Sequence, residues 1–441
     1  MKQVKRTVAA ALAVTLAAPL AGTAAVSAEE HQPHALDVDS MEKQFEDSFD
    51  IGAAVELYQL EGEHGEILKH HYSSVVAENV MKPLYIQPEE GEFNWEEADQ
   101  LVEFANEHDL ELRYHTLIWH NQVPEWFFLD EEGNEMVEEE DPEQQEANKE
   151  LLLERLETHV KTVVERYKDD VDAWDVVNEV IDDGGGMRET EWYQITGDEY
   201  IKTAFHTARE YGGEDAKLFI NDYNTEINPK RDDLYDLVKE MLDEGVPIDG
   251  IGHQAHIQLD WPTIGEIEES ILLFDELGLE THITELDVSL YGYPPEPAFE
   301  TYEDIPEEAF ERQAERYHQL FSLYKSLDDA ITSLTFWGIA DDHTWLDDRA
   351  EEFNDGVGKD APFVFDVDKK VKPAYWAVMS DETPSEEEME EGVEPVQPEE
   401  KEGDELPETA SNSPLYALIG LLMAAGAAFL LKTPRKTRTT E

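Results

Sequence analysis

Eight short apolar segments, most of them followed by a helical stretch, recur between residues 44 and 379, and this alternation limits the fold more than any other feature. The strand candidates are residues 51–55, 74–77, 112–116, 173–177, 218–221, 250–253, 281–284 and 333–337. Runs rich in Val, Ile, Leu and Trp call for cover on both faces, as in a parallel sheet. Residues 148–166, 198–211, 231–244 and 306–326 carry helical periodicity instead. Eight βα units in one domain predict an α/β fold, a (β/α)8 TIM barrel with insertions. A doubly wound open sheet is the alternative, but no Gly-rich phosphate loop follows the first strand.

The residues just after the strands are chemically unlike the strands themselves. In Val171–Val180 a β-branched run switches abruptly to Asn178 and Glu179. An unpaired carboxylate is costly in a core, so this pair should emerge at the rim where parallel α/β folds keep their chemistry. The same switch recurs on other strands. The second strand leads to Glu78, Asn79 and Lys82; the third to His115, Trp119, His120 and Gln122; the fifth to Asn221, Tyr223 and Asn224. The sixth gives Gln254 and His256, the seventh Glu285 and Asp287, and the eighth Trp337 with Trp345 beyond. Amides and carboxylates bind hydroxyl groups, and indole faces cover the apolar faces of sugar rings, so this rim suits a polyhydroxylated substrate. Cleaving a glycosidic bond needs two flanking carboxyl groups, one protonated and one charged. Glu179 and Glu285 end the fourth and seventh strands, where a separation of roughly 5–5.5 Å would serve a retaining double displacement.

The ends of the chain are of different character. Lys2, Lys5 and Arg6 precede an apolar run and the small residues Val26, Ser27 and Ala28, the pattern of a signal peptide over residues 1–28. Residues 380–405 are rich in Glu and Pro and should form a flexible acidic linker. Residues 406–441 hold Leu406-Pro407-Glu408-Thr409-Ala410, an apolar span over 415–431 and the basic Lys432, Arg435, Lys436 and Arg438. As a simple span this is a C-terminal transmembrane anchor at the lower length limit. The chain has no cysteine, so an exported domain must be stable through its core alone. The formal net charge of −73 argues against nucleic acid as a partner and predicts a protein suited to saline surroundings.

The domain resembles the glycoside hydrolase family 10 endo-β-1,4-xylanases. The likeness rests on Glu78-Asn79-Val80-Met81-Lys82-Pro83, the run from Gly91 to Asp99, His115 to Gln122, Trp174 to Glu179, Asn221 to Asn224, Gln254 to His256, Ile283 to Asp287 and Phe336-Trp337-Gly338. The resemblance implies hydrolysis of xylan and xylo-oligosaccharides, with Glu179 as acid/base and Glu285 as nucleophile. It further implies that Asn178 holds the sugar 2-hydroxyl and that His256 orients the nucleophile with Gln254 beside it. Glu78, Asn79, Lys82, His115, Trp119 and Gln122 would bind the glycone. Trp337 and Trp345 would form an aromatic wall, and Tyr223 and Asn224 would serve the aglycone. Two departures bear on the cleft: Tyr114 stands where many members carry Gly, expected to reshape the glycone side, and Leu346 where many carry Arg, altering the far wall. The C-terminal order is similar to the sorting signal of Gram-positive surface proteins, which a sortase cuts after the residue matching Thr409; Ala410 replaces the commoner Gly. A secreted monomer attached to the cell wall, or retained by its C-terminal anchor, is expected.

Rival readings use the same residues. His115, His120, His253, His256 and His282 lie at or near strand ends, but none forms a His-Glu-x-x-His pair. Lining the barrel accounts for them, and no metal or cofactor is expected. A wall-attached polysaccharide-binding protein that no longer cleaves would be expected to lack one of the two glutamates. A related barrel glycosidase acting on cellulose or short xylo-oligosaccharides is the third reading.

Overall fold

The computed structural model describes residues 32–291, 299–347 and 358–381. The signal-peptide run, linker residues 382–405 and the sorting segment with its apolar span lie outside the described residues. The described strands are β1 (Asp50–Val55), β2 (Ser74–Ala77), β3 (Glu111–Tyr114), β4 (Ala173–Asn178), β5 (Lys217–Asp222), β6 (Gly250–His253), β7 (His256–Gln258), β8 (Glu280–Ser289) and β9 (Ile331–Phe336). Strands β1 to β6 pair in sequence, all parallel; β6 then pairs with β8, β8 with β9 and β9 with β1, closing an eight-stranded barrel. Strand β7 is an addition that the alternation does not foresee. The chain leaves β6, turns through Gln254 and Ala255, and lays three residues along the far half of β8, with His256 opposite Asp287.

At least one helix follows each barrel strand, the principal ones being α1 (Gly62–His71), α2 (Glu96–Glu107), α3 (Pro142–Tyr167), α4 (Glu199–Gly212), α5 (Lys230–Glu244), α6 (Ile264–Asp275), α7 (Glu307–Ser326) and α8 (Pro373–Val378), with short helices at Pro83–Ile86 and Glu191–Thr196 besides. Their ends are written locally. Asp141 accepts a hydrogen bond from the Glu143 amide just before Pro142 opens α3, and Thr263 and Glu266 cap each other at the start of α6. Helix α3 buries Leu152, Leu156, Val160, Val163 and Val164, a stripe at helical spacing. Such stripes meet the outward side chains of the barrel in one continuous apolar core. A small separate cluster of Ala54, Val76 and Trp337 sits apart from it, with Trp345 at its edge.

Tyr114 does not reach the cleft, contrary to expectation. It is fully buried, stacks on Trp174 at 5.1 Å and meets Tyr167 of α3 at 6.2 Å. Successive strand residues point to opposite sides, so a Tyr114 that faces the helices leaves His115 to face the barrel. Leu346 is likewise buried. No helix among the described residues is long and apolar enough to cross a membrane.

Candidate active site

Strand β8 carries Glu285 into the barrel mouth, where three side chains surround its carboxylate. Asn221 Nδ2 donates to Oε1 at 2.7 Å, and His256 Nε2 donates to Oε2 at 3.2 Å. His115 Nδ1 stands 4.0 Å from Oε1 and hydrogen-bonds Asp175 at 3.0 Å. Asp175 is gripped in turn by the Arg113 guanidinium. His256 presents its other nitrogen to Asp287 at 2.9 Å, and Asp287 also accepts the Trp345 indole N–H at 2.8 Å. Burial opposes a charge on the His256 ring, but Asp287 and Glu285 outweigh it and lift its pKa to about 10. His256 is therefore an imidazolium at neutral pH. Burial would also raise Glu285, yet the His256 hydrogen bond and the electrostatic influence of the neighbouring His115 and His256 rings hold it below the usual carboxylate value.

Glu179 follows β4 directly and lives in the opposite environment. Burial and the nearby charge of Asp222 push its pKa up, against hydrogen bonds from Trp119 and Gln254. Gln254 Nε2 lies 3.3 Å from Glu179 Oε1, and His120 Nε2 is 3.8 Å from Oε2. An amide chain joins the two glutamates. Asn221 Nδ2, which binds Glu285, also donates to Asn178 Oδ1 at 2.9 Å, and Gln254 Nε2 donates to the same oxygen at 3.2 Å. The Asn221 oxygen accepts from the Thr284 hydroxyl at 2.6 Å, and the direction of its amide is fixed by Glu285, whose carboxylate can only accept. Both carboxylates thus meet at one amide network, one with its pKa held down and the other with its pKa pushed up. Separated pKa values of this kind divide acid from base.

The backbone supports that convergence. Among the described residues six non-glycines adopt positive φ, and four of them (Gln122, Glu179, Asn224 and Ala255) stand in loops after β3 to β6. Left-handed backbone at non-glycine residues costs about 1–3 kcal/mol and persists where surroundings over-determine it. At Glu179 (φ 58°) the amide donates to the Asn221 carbonyl at 2.8 Å, tying the loop to β5.

On one side of the chamber the polar residues after β2 and β3 interlock. Lys82 Nζ donates to Gln122 Oε1 at 2.9 Å and to Asn79 Oδ1 at 3.3 Å, and stands 4.8 Å from the centre of the Trp119 ring. Asn79 donates to Glu56 at 2.6 Å, and Glu78 accepts from His343 Nε2 at 2.7 Å. Trp337 meets the edge of His115 at 5.3 Å. On the other side Tyr223 donates its hydroxyl proton to Asp183 at 3.0 Å and accepts from Arg188 at 2.9 Å, with Lys230 Nζ 3.4 Å from its ring centre. Asn224 shapes the adjoining turn, its carbonyl accepting from Ile227.

The contacts gather Asn178, His115, Trp119, Gln254 and His256 about the glutamate pair and interlock Asn79, Lys82 and Gln122, while Tyr223 connects through Arg188 to the Glu179 carbonyl and Asn224 contributes a turn contact. Several residues outside the selected set also belong to the site, among them Asn221, Asp287, Glu56 and His343. Asn221 and Asp287 lay inside the motifs that marked their neighbours. Glu56 directly follows β1, so extending the inspection of strand ends to the first strand would have found it. His343 had no such signal; it reaches Glu78 across 265 positions of sequence. The histidines once open to a metal reading have other partners: His253 bonds Thr225 and His282 bonds Arg113.

Comparison with known proteins agrees with this geometry. Residues 40–381 match the model for glycosyl hydrolase family 10, and residues 398–437 match the LPXTG cell wall anchor motif. Endo-1,4-beta-xylanase A of Halalkalibacterium halodurans is 65% identical over 348 residues, 79% of this chain and 88% of that protein. The thermostable celloxylanase of Thermoclostridium stercorarium is 49% identical over 350 residues, 79% of this chain and 89% of its own. Among solved structures, xylanase B from Clostridium stercorarium F9 superposes with a TM-score of 0.74 at 50% identity, covering 78% of this chain and 99% of that one. By family model, sequence and architecture together, this chain belongs to glycosyl hydrolase family 10 and ends in a cell wall anchor motif.

Proposed function

We propose that this protein is a retaining endo-1,4-β-xylanase, with Glu285 as nucleophile and Glu179 as acid/base, acting on xylan outside the cell from a cell-wall attachment. The observation that carries the assignment is the opposite electrostatic setting of two carboxylates joined by one amide chain. In the first step Glu285 attacks the anomeric carbon, the bond to the leaving sugar breaks, and Glu179 gives its proton to the leaving oxygen. The product is a glycosyl ester on Glu285. Esterification removes the Glu285 charge, one of the contributions that raise Glu179, so the Glu179 pKa falls when it must act as a base. In the second step Glu179 takes a proton from water, the water oxygen attacks the anomeric carbon, and Glu285 leaves as a carboxylate. Asn178, at the centre of the amide chain, is placed to hold the 2-hydroxyl as positive charge develops on the ring.

The flank around Glu78, Asn79, Lys82 and Gln122 takes the glycone, and that around Tyr223 and Asn224 the aglycone. Trp119, His115, Trp337 and Trp345 shape the walls. Residues 1–28 are removed as a signal peptide, residues 44–379 form the catalytic domain, residues 380–405 are an acidic linker, and Thr409 is joined to the wall by a sortase. The enzyme works as a monomer, for which size-exclusion chromatography with light scattering is the measurement. The decisive experiment follows reducing sugar released from soluble xylan, with Glu285→Ala as control, and reads the fresh product anomer by proton NMR. Release of β-anomer by wild type alone supports the assignment; α-anomer, or xylan binding without release, overturns it.

A further inference from the structure

Tyr58 is the most exposed large hydrophobic side chain among the described residues, at 60%. It is also fixed in place. It lies in the 3-10 turn Leu57–Leu60 directly after β1, a turn closed by reciprocal hydrogen bonds between Glu56 and Gln59. Two imidazoles buttress its ring nearly at right angles, His343 at 5.9 Å and His64 at 6.2 Å, and His64 is itself held by Asp342 at 3.1 Å. A supported aromatic ring left open to solvent is the form of a stacking platform rather than of a packing element.

Its position relative to the chamber gives the platform a direction. Lys82, close enough to Glu285 and Glu179 to feel their charge, bonds Asn79; Asn79 bonds Glu56, two residues before Tyr58. Independently, Glu78 bonds His343, whose ring abuts Tyr58. Both chains of contacts start from glycone-flank residues, one of them beside the glutamates, and lead to the same ring.

We propose that Tyr58 stacks on a xylose unit of the glycone one position beyond those held by Glu78, Asn79 and Lys82, so that the enzyme favours longer chains. This rests on the glycone assignment made above. A sugar there would lay its apolar face on the ring and leave its hydroxyls in water, so the ring and not the phenol oxygen supplies the binding.

The test compares wild type with Tyr58→Ala and Tyr58→Phe on an aryl β-xylobioside, which has only two glycone sugars, and on xylohexaose labelled at its reducing end. Stacking of this kind corresponds to roughly 3- to 10-fold. In Tyr58→Ala the ratio of kcat/KM for xylohexaose to that for the aryl xylobioside should therefore fall by about that factor. Cleavage of the labelled hexaose should shift toward the non-reducing end, with fewer sugars on the glycone side, and Tyr58→Phe should match wild type. An unchanged ratio and cleavage pattern in Tyr58→Ala, or an equal loss on both substrates with a lowered Tm, overturns the proposal. Failure of the glycone assignment itself would look different: Glu78→Ala would then leave the aryl xylobioside rate intact.

Discussion

His256 can carry a full charge inside the barrel because each of its nitrogens faces a carboxylate, Glu285 on one side and Asp287 on the other. The charge holds Glu285 ionised, and the sign of its removal follows. Without the imidazolium the Glu285 pKa rises, so the nucleophile is protonated at a higher pH. His256→Gln should therefore move the acidic limb of the kcat/KM–pH profile upward and lower kcat/KM on an aryl xylobioside roughly tenfold, the weight of one charge-assisted hydrogen bond. An unmoved acidic limb would remove His256 from this role. Glu179 has a different signature. Glu179→Ala should slow xylan hydrolysis by roughly 10²- to 10⁴-fold, the usual contribution of a general acid. A dinitrophenyl xylobioside needs no proton on its leaving group, so its first step should survive and azide should restore turnover as a glycosyl azide. Glu179 was legible because β4 switches from a β-branched run to Asn178 and a carboxylate, and Glu285 because acids interrupt an apolar run, although β8 continues past it to Ser289 rather than ending there. Contacts farther from the pair were less so, since His343 to Glu78 and Arg113 to His282 are made only by barrel closure.

Strands were easy to find where the chain is buried on both faces, and the ends of β2 and β6 fell where the residue types predicted. Strand β7 was not, because three residues beyond a turn carry no period, and its existence depends on the long β8 beside it. Close approach between strands was equally hidden. Gly252 of β6 looks like an ordinary weak point in a strand, but a Cβ there would lie 2.2 Å from Asn221 Oδ1 and 2.9 Å from Thr284 Cγ2. The absent side chain is what lets the Asn221 amide span from Asn178 to Glu285. Gly252→Ala should displace that amide and depress kcat severalfold or more on every substrate; a crystal structure of the variant with Asn221 unmoved and full activity would refute this. At the opposite end of the barrel β3 begins with Glu111, whose pKa is raised to about 7 by burial and by Asp50 and Asp172. A raised folded-state pKa means that stability from this group is complete below the unfolded value and is lost as pH climbs through about 7. Glu111→Gln should raise Tm at pH 9 and leave it unchanged or lower at pH 4, as differential scanning calorimetry at the two pH values would report.

For the whole molecule the governing quantity is a formal net charge of −73, from 105 Asp and Glu against 32 Lys and Arg. Local pairing cannot neutralise it, because even if every Lys and Arg found a partner, most carboxylates would be left over. Exposed pairs such as Lys69 with Glu66 or Lys370 with Asp368 are screened by solvent and add little in any case. What remains is long-range repulsion among surface carboxylates, which opposes the compact state and is governed by ionic strength. The screening length is about 10 Å at 0.1 M salt and about 3 Å at 1 M, so relief should be steep at first and then saturate. The expectation is a Tm that climbs with sodium chloride, most of the gain arriving below about 1 M, with xylanase activity retained across that range. Preferential exclusion of a cosolute from the protein surface gives a different curve, one that keeps rising with concentration and that sucrose reproduces. Running both cosolutes at matched osmolality separates the causes. If the Tm is flat in salt, falls, or follows sucrose, then the acidic surface serves solubility alone and is no adaptation to a saline medium.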